Sequence, residues 1–224
     1  MKSNSNSSSR RSFIKKTAAS SAFIATAGIL PQFSAKSYGR ILGANDRINV
    51  SMMGVNSRGN ALAQNFASQK NAEVIHVCDV DSRAILKCLD SVKGRQDRKP
   101  KTFTDFRKSL ESKDVDAMVI AAPDHWHAPA SLLAMEAGKH VYVEKPCSHN
   151  PNEGEILVQA AQKYGKVIQM GNQRRSWPNV VEGIKALQSG AIGKVYFGKG
   201  WYTNNRKSIG IGKEVEVPNW LDWD

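Results

Sequence analysis

The sequence predicts an α/β fold in which a parallel sheet is covered by helices, and three observations carry that prediction. Short apolar runs of strand length alternate with helix-length segments from Arg47 onward. The first apolar run ends on a glycine cluster that also opens a helix, Gly54-Val55-Asn56-Ser57-Arg58-Gly59. The second ends on an acid, Asp79. In order, Ile48, Val50, Met52 and Met53 mark a strand, and Arg58–Ser68 a helix with Leu62, Phe66 and small alanines to pack. Val74–Cys78 is the next strand, and Asp81 or Ser82 caps a helix running to Val92. A basic loop leads to Thr102-Phe103 and a short helix at Asp105–Ser112. Val115–Ala122 is a continuous apolar run broken only by Asp116, as in a strand buried on both faces. Pro129 suits the first turn of a helix that stops at Gly138. His140–Val143 is a strand, and Asn150-Pro151-Asn152-Glu153 reads as a capped helix start, with Gly165 as its stop. Val167–Met170 is the last strand of this series. Beyond Gly171 the texture changes: a helix over Asn179–Ser189 precedes Lys194–Thr203, whose alternation is that of a further strand.

Charge and cysteine usage narrow the function classes. Of the net charge of +12, six positive charges (Lys2, Arg10, Arg11, Lys15, Lys16, Lys36) lie in residues 1–37, which hold no acid. The rest is scattered apart from Lys93, Arg95, Arg98, Lys99 and Lys101, a solvated helix end and loop, so no nucleic-acid partner is expected. The three cysteines, Cys78, Cys88 and Cys147, give neither a zinc spacing nor a disulfide framework, and no metal is expected. Ser9-Arg10-Arg11-Ser12-Phe13-Ile14-Lys15-Lys16 resembles a twin-arginine export motif. Thr17–Leu30 follows it, too short and too rich in Ala and Ser to span a bilayer, and Ala35-Lys36-Ser37 offers a cleavage site. Residues 1–37 are thus expected to be a signal peptide read by the twin-arginine translocase, leaving no membrane span after cleavage and a periplasmic product. Residues 38–46 form a linker. That route carries folded proteins, which favours a cofactor loaded before export and retained.

The glycine cluster has the placing of the Rossmann fingerprint G-x-G-x-x-G. There the first Gly makes the tight turn, the second admits backbone to the pyrophosphate, and the third packs helix on strand. Gly54 and Gly59 fill the outer positions, Asn56 replaces the middle Gly, and Ser57 and Arg58 complete the helix start, whose amides meet phosphate. Asn56 suits that place as a residue that tolerates positive φ. Asp79, 20 residues after Gly59, is placed to accept the adenosine ribose hydroxyls and to repel a 2′-phosphate. NAD is therefore expected, with NADP possible, since Arg83 one turn later argues the other way.

Pro123-Asp124-His125-Trp126-His127 follows the fourth strand and Glu144-Lys145-Pro146 the fifth, both at the carboxyl edge where such sheets bind ligands. A lysine there can hydrogen-bond a reacting oxygen, whereas the plain alternative is a surface ion pair before a proline turn. Together with Ala137-Gly138-Lys139-His140-Val141-Tyr142-Val143, these residues resemble the glucose–fructose oxidoreductase/inositol dehydrogenase (Gfo/Idh/MocA) family. Gly171-Asn172-Gln173-Arg174-Arg175 and Trp220-Leu221-Asp222-Trp223-Asp224 resemble its exported bacterial members. The resemblance implies an NAD(P)-binding Rossmann domain over residues 47–171. Residues 172–224 would be the start of a truncated C-terminal α/β domain for substrate and homo-oligomer contacts. It implies Lys145 as the catalytic lysine, Glu144 and Pro146 as shapers of its loop against the nicotinamide, and Glu144 and Lys145 as part of the cofactor-binding set. His127 becomes a builder of the cofactor pocket, with Pro123, His125 and Gln173 contacting cofactor or, for Gln173, substrate. Trp201, Trp220 and Trp223 either stack on sugar faces or pack in the second domain. His76 and His140 are expected to be structural.

The family's Asp-x-x-x-His pair, whose His serves as base, has no counterpart after Gly171, the last histidine being His149. The chain is therefore expected to be an N-terminal fragment. The expected function is hydride transfer between a nicotinamide cofactor and a sugar or cyclitol carbinol. The alternatives are an NAD-dependent glycosidase using transient sugar oxidation and a non-catalytic cofactor-binding fragment.

Overall fold

The computed structural model describes residues 47–203, 205, 208 and 210–223. The twin-arginine motif, the apolar stretch, the cleavage site and the linker lie outside the described residues. The elements run β1 (Ile48–Met53), α1 (Arg58–Ala67), β2 (Ala72–Cys78), α2 (Ser82–Val92), β3 (Lys101–Phe103), α3 (Phe106–Leu110) and β4 (Ala117–Ile120). Then come α4 (His127–Glu136), β5 (His140–Glu144), α5 (Pro151–Tyr164), β6 (Ile168–Gly171) and α6 (Pro178–Gln188). The six strands form one sheet in the order β3-β2-β1-β4-β5-β6, with every pairing parallel. This is the doubly wound arrangement, and its direction of winding reverses between β1 and β4.

Strand alternation feeds two apolar layers, one on each face. Val50, Met52, Val74, Val77 and Val119 pack with Leu62 and Ala63 of α1 and Ala84, Ile85, Cys88 and Val92 of α2. Met53, Cys78, Met118 and Ile120 pack with Phe106 and Leu110 of α3, Ala134 and Met135 of α4 and Leu157 of α5. Successive residues Met52 and Met53 serve opposite faces, which is why the strand reads as a continuous apolar run.

Local signals account for most boundaries. Asp81 Oδ1 accepts from Arg83 N at 2.9 Å and starts α2. Asn150 Oδ1 accepts from Glu153 N (3.0 Å) while Glu153 Oε2 accepts from His149 N (2.7 Å), a reciprocal cap. Gly165 closes α5 in the left-handed region at φ 61°. β4 is shorter than the apolar run around it; Asp116 just before it still bonds to both neighbours, its N donating to Asn49 O and its O accepting from His140 N, both at 2.9 Å, while its Oδ2 accepts from Asn49 N at 2.8 Å. One expectation fails. Lys194–Thr203 forms no strand; Tyr196, Phe197, Trp201 and Tyr202 stand 74–92 % exposed, and among the described residues no neighbouring strand pairs with that backbone.

A buried polar triad sits under the sheet. Ser51 Oγ and Ser109 Oγ are 2.7 Å apart, and His76 Nδ1 lies 2.8 Å from Ser109 Oγ. Burial, then the Lys101 and Arg98 charges, lower the His76 pKa from 6.5. The unfolded chain therefore binds this proton first. Stability is complete above about pH 6.5 and falls as pH drops toward the folded-state value. Urea unfolding followed from pH 7.5 to 5 should show that slope, and His76→Asn should flatten it; an unchanged slope would reject the assignment.

Candidate functional site

A cleft of about 780 Å³ opens at the carboxyl ends of β1, β2, β3 and β4, where the winding reverses. Gly54, Asn56, Ser57 and Arg58 line one side, and Asp79 and Val80 the end of β2. Thr104–Arg107, Ala121–Pro123, Trp126 and Asp222 complete it. Six expected site residues meet here: Gly54, Asn56, Ser57, Arg58, Asp79 and Pro123.

The glycine turn works by close approach. Gly54 has φ 77°, and a Cβ on it would lie 2.6 Å from Ala122 N. On Gly59 a Cβ would lie 1.8 Å from Gly54 O. The two glycines thus press the turn against the β4 loop and against the start of α1. Asn56 is a different matter. Among the described residues only glycines have positive φ, so Asn56 is there without the left-handed backbone expected of it. The middle position of this turn therefore makes no demand for a left-handed backbone. The Ser57 side chain makes no cap, leaving first-turn amides of α1 open at the cleft.

Asp79 fastens the turn. Its Oδ2 accepts from Val55 N at 2.7 Å and its Oδ1 from Asp81 N at 3.0 Å. Each oxygen keeps a lone pair for a further donor. Beneath it, burial and the Asp79 charge push the Cys78 thiol up to about 12 and the Cys88 thiol up to about 11. Both sulfurs are protonated core groups.

Glu144, Lys145, His125, His127, Gln173 and Gly59 do not line the cleft itself. Gly59 and Glu144 act from behind it. Glu144 is 4 % exposed; its Oε1 accepts from Arg58 Nε at 2.8 Å and its Oε2 from Gln173 Nε2 at 3.1 Å. It ties the start of α1 to the segment after β6. Burial alone would lower the Arg58 pKa, but the hydrogen bond and charge of Glu144 outweigh it and raise the value. A Cβ on Gly171 would lie 2.8 Å from Glu144 Oε1, so glycine leaves room for this knot.

His127 is a strut. It is 2 % exposed, with Nε2 2.8 Å from Ala122 O and Nδ1 against Pro146 O. It clamps the loop after β4 to the loop after β5. Lys145, between Glu144 and the cis-bonded Pro146, is exposed with no side-chain partner among the described residues. His125 stacks loosely beside Trp126 at 6.2 Å, and Trp126 meets the edge of Phe106 at 6.0 Å. His140 Nδ1 accepts from Val167 N, and Lys139 Nζ donates to Ser112 O at 2.7 Å. Both lie at the amino edge of the sheet, so part of the Ala-Gly-Lys-His-Val motif is structural. Trp220 packs on the first domain, where the Arg83 guanidinium carbon lies 3.2 Å from its ring centroid.

Sequence reasoning missed Asp105–Arg107 and Asp222. The first follows β3, whose carboxyl end necessarily adjoins that of β2 in this winding. Asp222 had no local signal. Among the described residues no three His, Cys, Asp or Glu side chains gather as a metal site, and no helix is long and apolar enough to cross a membrane.

Comparison with known proteins agrees with this geometry. Residues 48–172 match the family model described as an oxidoreductase family with an NAD-binding Rossmann fold. A glycosyl hydrolase family 109 protein of Saccharopolyspora erythraea is 28 % identical over 97 % of the chain and 50 % of that protein. One from Shewanella baltica is 26 % identical over 86 % of the chain and 45 % of that protein. The chain thus spans about half the length of the curated relatives it matches. Among solved structures, myo-inositol 2-dehydrogenase from Lactobacillus plantarum superposes with a TM-score of 0.59 at 22 % identity, covering 66 % of this chain and 43 % of its own. The scyllo-inositol dehydrogenase of Lactobacillus casei, with NAD(H) and scyllo-inositol bound, gives 0.59 at 23 % identity over 66 % and 42 %. Family match, sheet order and glycine turn agree, and the chain belongs to the Gfo/Idh/MocA oxidoreductase family, with an NAD-binding Rossmann fold.

Proposed function

We propose that the whole protein is a periplasmic NAD(P)-dependent oxidoreductase acting on a sugar or cyclitol carbinol. In this reading residues 1–37 address it to the twin-arginine translocase and residues 172–224 open a domain for substrate and homo-oligomer contacts. The observation that carries the reading is that the cleft and the exposed, unpartnered Lys145 share one edge of the sheet. The residues fit a dinucleotide: open first-turn amides of α1 for pyrophosphate, Asp79 lone pairs for ribose hydroxyls, and a cleft volume within the range of cofactor sites. When bound, the nicotinamide supplies the hydride donor or acceptor. Lys145 donates a hydrogen bond to the reacting oxygen and stabilises the charge that grows on it. His127 keeps the Lys145 loop and the β4 loop in register, and Glu144 keeps Arg58 at the mouth of the cleft.

The test is to denature the purified whole protein and weigh what it releases, then to follow reduced-nicotinamide absorbance against a panel of sugars and inositols. Released dinucleotide and one reacting polyol support the reading; neither overturns it. The curated relatives named as glycosyl hydrolases favour a second reading, glycoside cleavage through transient oxidation. It requires aglycone release with no net change in reduced nicotinamide.

A further inference from the structure

The cleft's wall at the end of β2 is built partly from chain far away in sequence. Ser82 N and Ser82 Oγ both donate to Trp220 O, at 2.9 and 3.1 Å. Asp222 N donates to Val80 O at 2.9 Å, and Asp81 and Leu221 form an antiparallel bridge. Leu221 N donates to Pro218 O at 3.0 Å, closing the turn that presents Trp220. These contacts put Asp222 into the cleft lining beside Asp79 and Val80.

Arg83 is the cation nearest in sequence to the Asp79 carboxylate, and it is held elsewhere. Its Nε and Nη2 donate to Asp81 at 3.0 and 2.8 Å, and its guanidinium carbon lies over the Trp220 ring, 3.2 Å from the centroid. It does not line the cleft. A 2′-phosphate on the adenosine ribose carries close to two negative charges, and it would arrive where Asp79 and Asp222 stand, while the two arginines that line the cleft, Arg58 and Arg107, are already paired with Glu144 and Asp105.

We propose that Trp220 and Asp222 are specificity-determining residues for the dinucleotide: Trp220, together with the Asp81 carboxylate, holds Arg83 out of reach of the ribose 2′ position and Asp222 adds a second carboxylate there, so the protein takes NAD and rejects NADP. The inference rests on the cofactor reading above and deepens it. Selectivity here comes from an element withheld as well as one supplied.

Calorimetric dissociation constants for NAD⁺ and NADP⁺ test it on the cofactor-stripped whole protein. Trp220→Ala should tighten NADP⁺ by about tenfold while NAD⁺ moves by less than about threefold. Arg83→Ala added to Trp220→Ala should erase that gain, whereas Arg83→Ala alone should leave NADP⁺ unchanged. Asp222→Asn, a surface change that leaves the Trp220 turn intact, should by itself tighten NADP⁺ by about threefold. An NAD⁺/NADP⁺ ratio unmoved by both Trp220→Ala and Asp222→Asn overturns the inference, as does weaker NADP⁺ binding in Arg83→Ala alone. A wild-type protein that binds neither dinucleotide overturns the cofactor reading, and the inference falls with it. NAD⁺ binding with an unmoved ratio overturns the inference only.

Discussion

Gly59→Ala is expected to cost roughly 2–4 kcal/mol of stability and to weaken NAD⁺ binding by on the order of a hundredfold. Two effects compete. Alanine improves the helix by about 1 kcal/mol over glycine. Its Cβ, however, would lie 1.8 Å from Gly54 O and 2.9 Å from Gly54 C, both backbone atoms. Relief requires Gly54 to shift, and Gly54 is itself wedged at φ 77° against Ala122. The clash therefore wins, and the displaced turn takes the α1 amides away from phosphate. Urea unfolding and a dinucleotide titration read the two effects separately. Gly183 is the control: it lies inside α6 with nothing within 4 Å of its would-be Cβ, so Gly183→Ala should stabilise by about 0.5–1 kcal/mol. If Gly59→Ala resembles Gly183→Ala, the packing account of the turn is wrong.

Lys145→Ala in the whole protein is expected to lower kcat by about 10²–10⁴-fold while leaving the NAD⁺ dissociation constant within about threefold. The split follows from placement. Lys145 has no side-chain partner among the described residues and does not line the cleft, so its loss removes no packing and leaves the cleft lining intact. Stability should move by less than about 0.5 kcal/mol. Stopped-flow hydride transfer at saturating cofactor makes the measurement. An equal loss in cofactor affinity would recast Lys145 as a binding residue; no loss in kcat would remove it from the chemistry.

Much of the fold was legible because its signals are local. The Asn150–Glu153 cap, the Gly165 stop and the switch of period between strands and helices need only neighbouring residues to operate. Met52 and Met53, on opposite faces, announced a buried parallel strand by their adjacency alone. Lys194–Thr203 misled for the complementary reason: alternation marks the capacity to pair, and pairing needs a partner that the described residues do not provide. At the site, Gly54, Arg58 and Asp79 were legible from spacing, because a βαβ turn fixes where they meet. The bond of Glu144 to Arg58, 86 residues apart, was not, since nothing near either residue encodes it. The two bonds of His127, to Ala122 O and Pro146 O, join loops that no local spacing links.

The contact between Ser82 and Trp220 spans 138 residues, and this separation is also an interval of time. A ribosome adding roughly 5–20 residues each second needs on the order of ten seconds to pass from one to the other. During that interval β1 to β6 can assemble and the glycine turn can close, because all of them precede Trp220 in the chain. The cleft is therefore born open on its β2 side and gains the wall that Trp220 and Asp222 supply only after the surfaces that meet phosphate and ribose already exist.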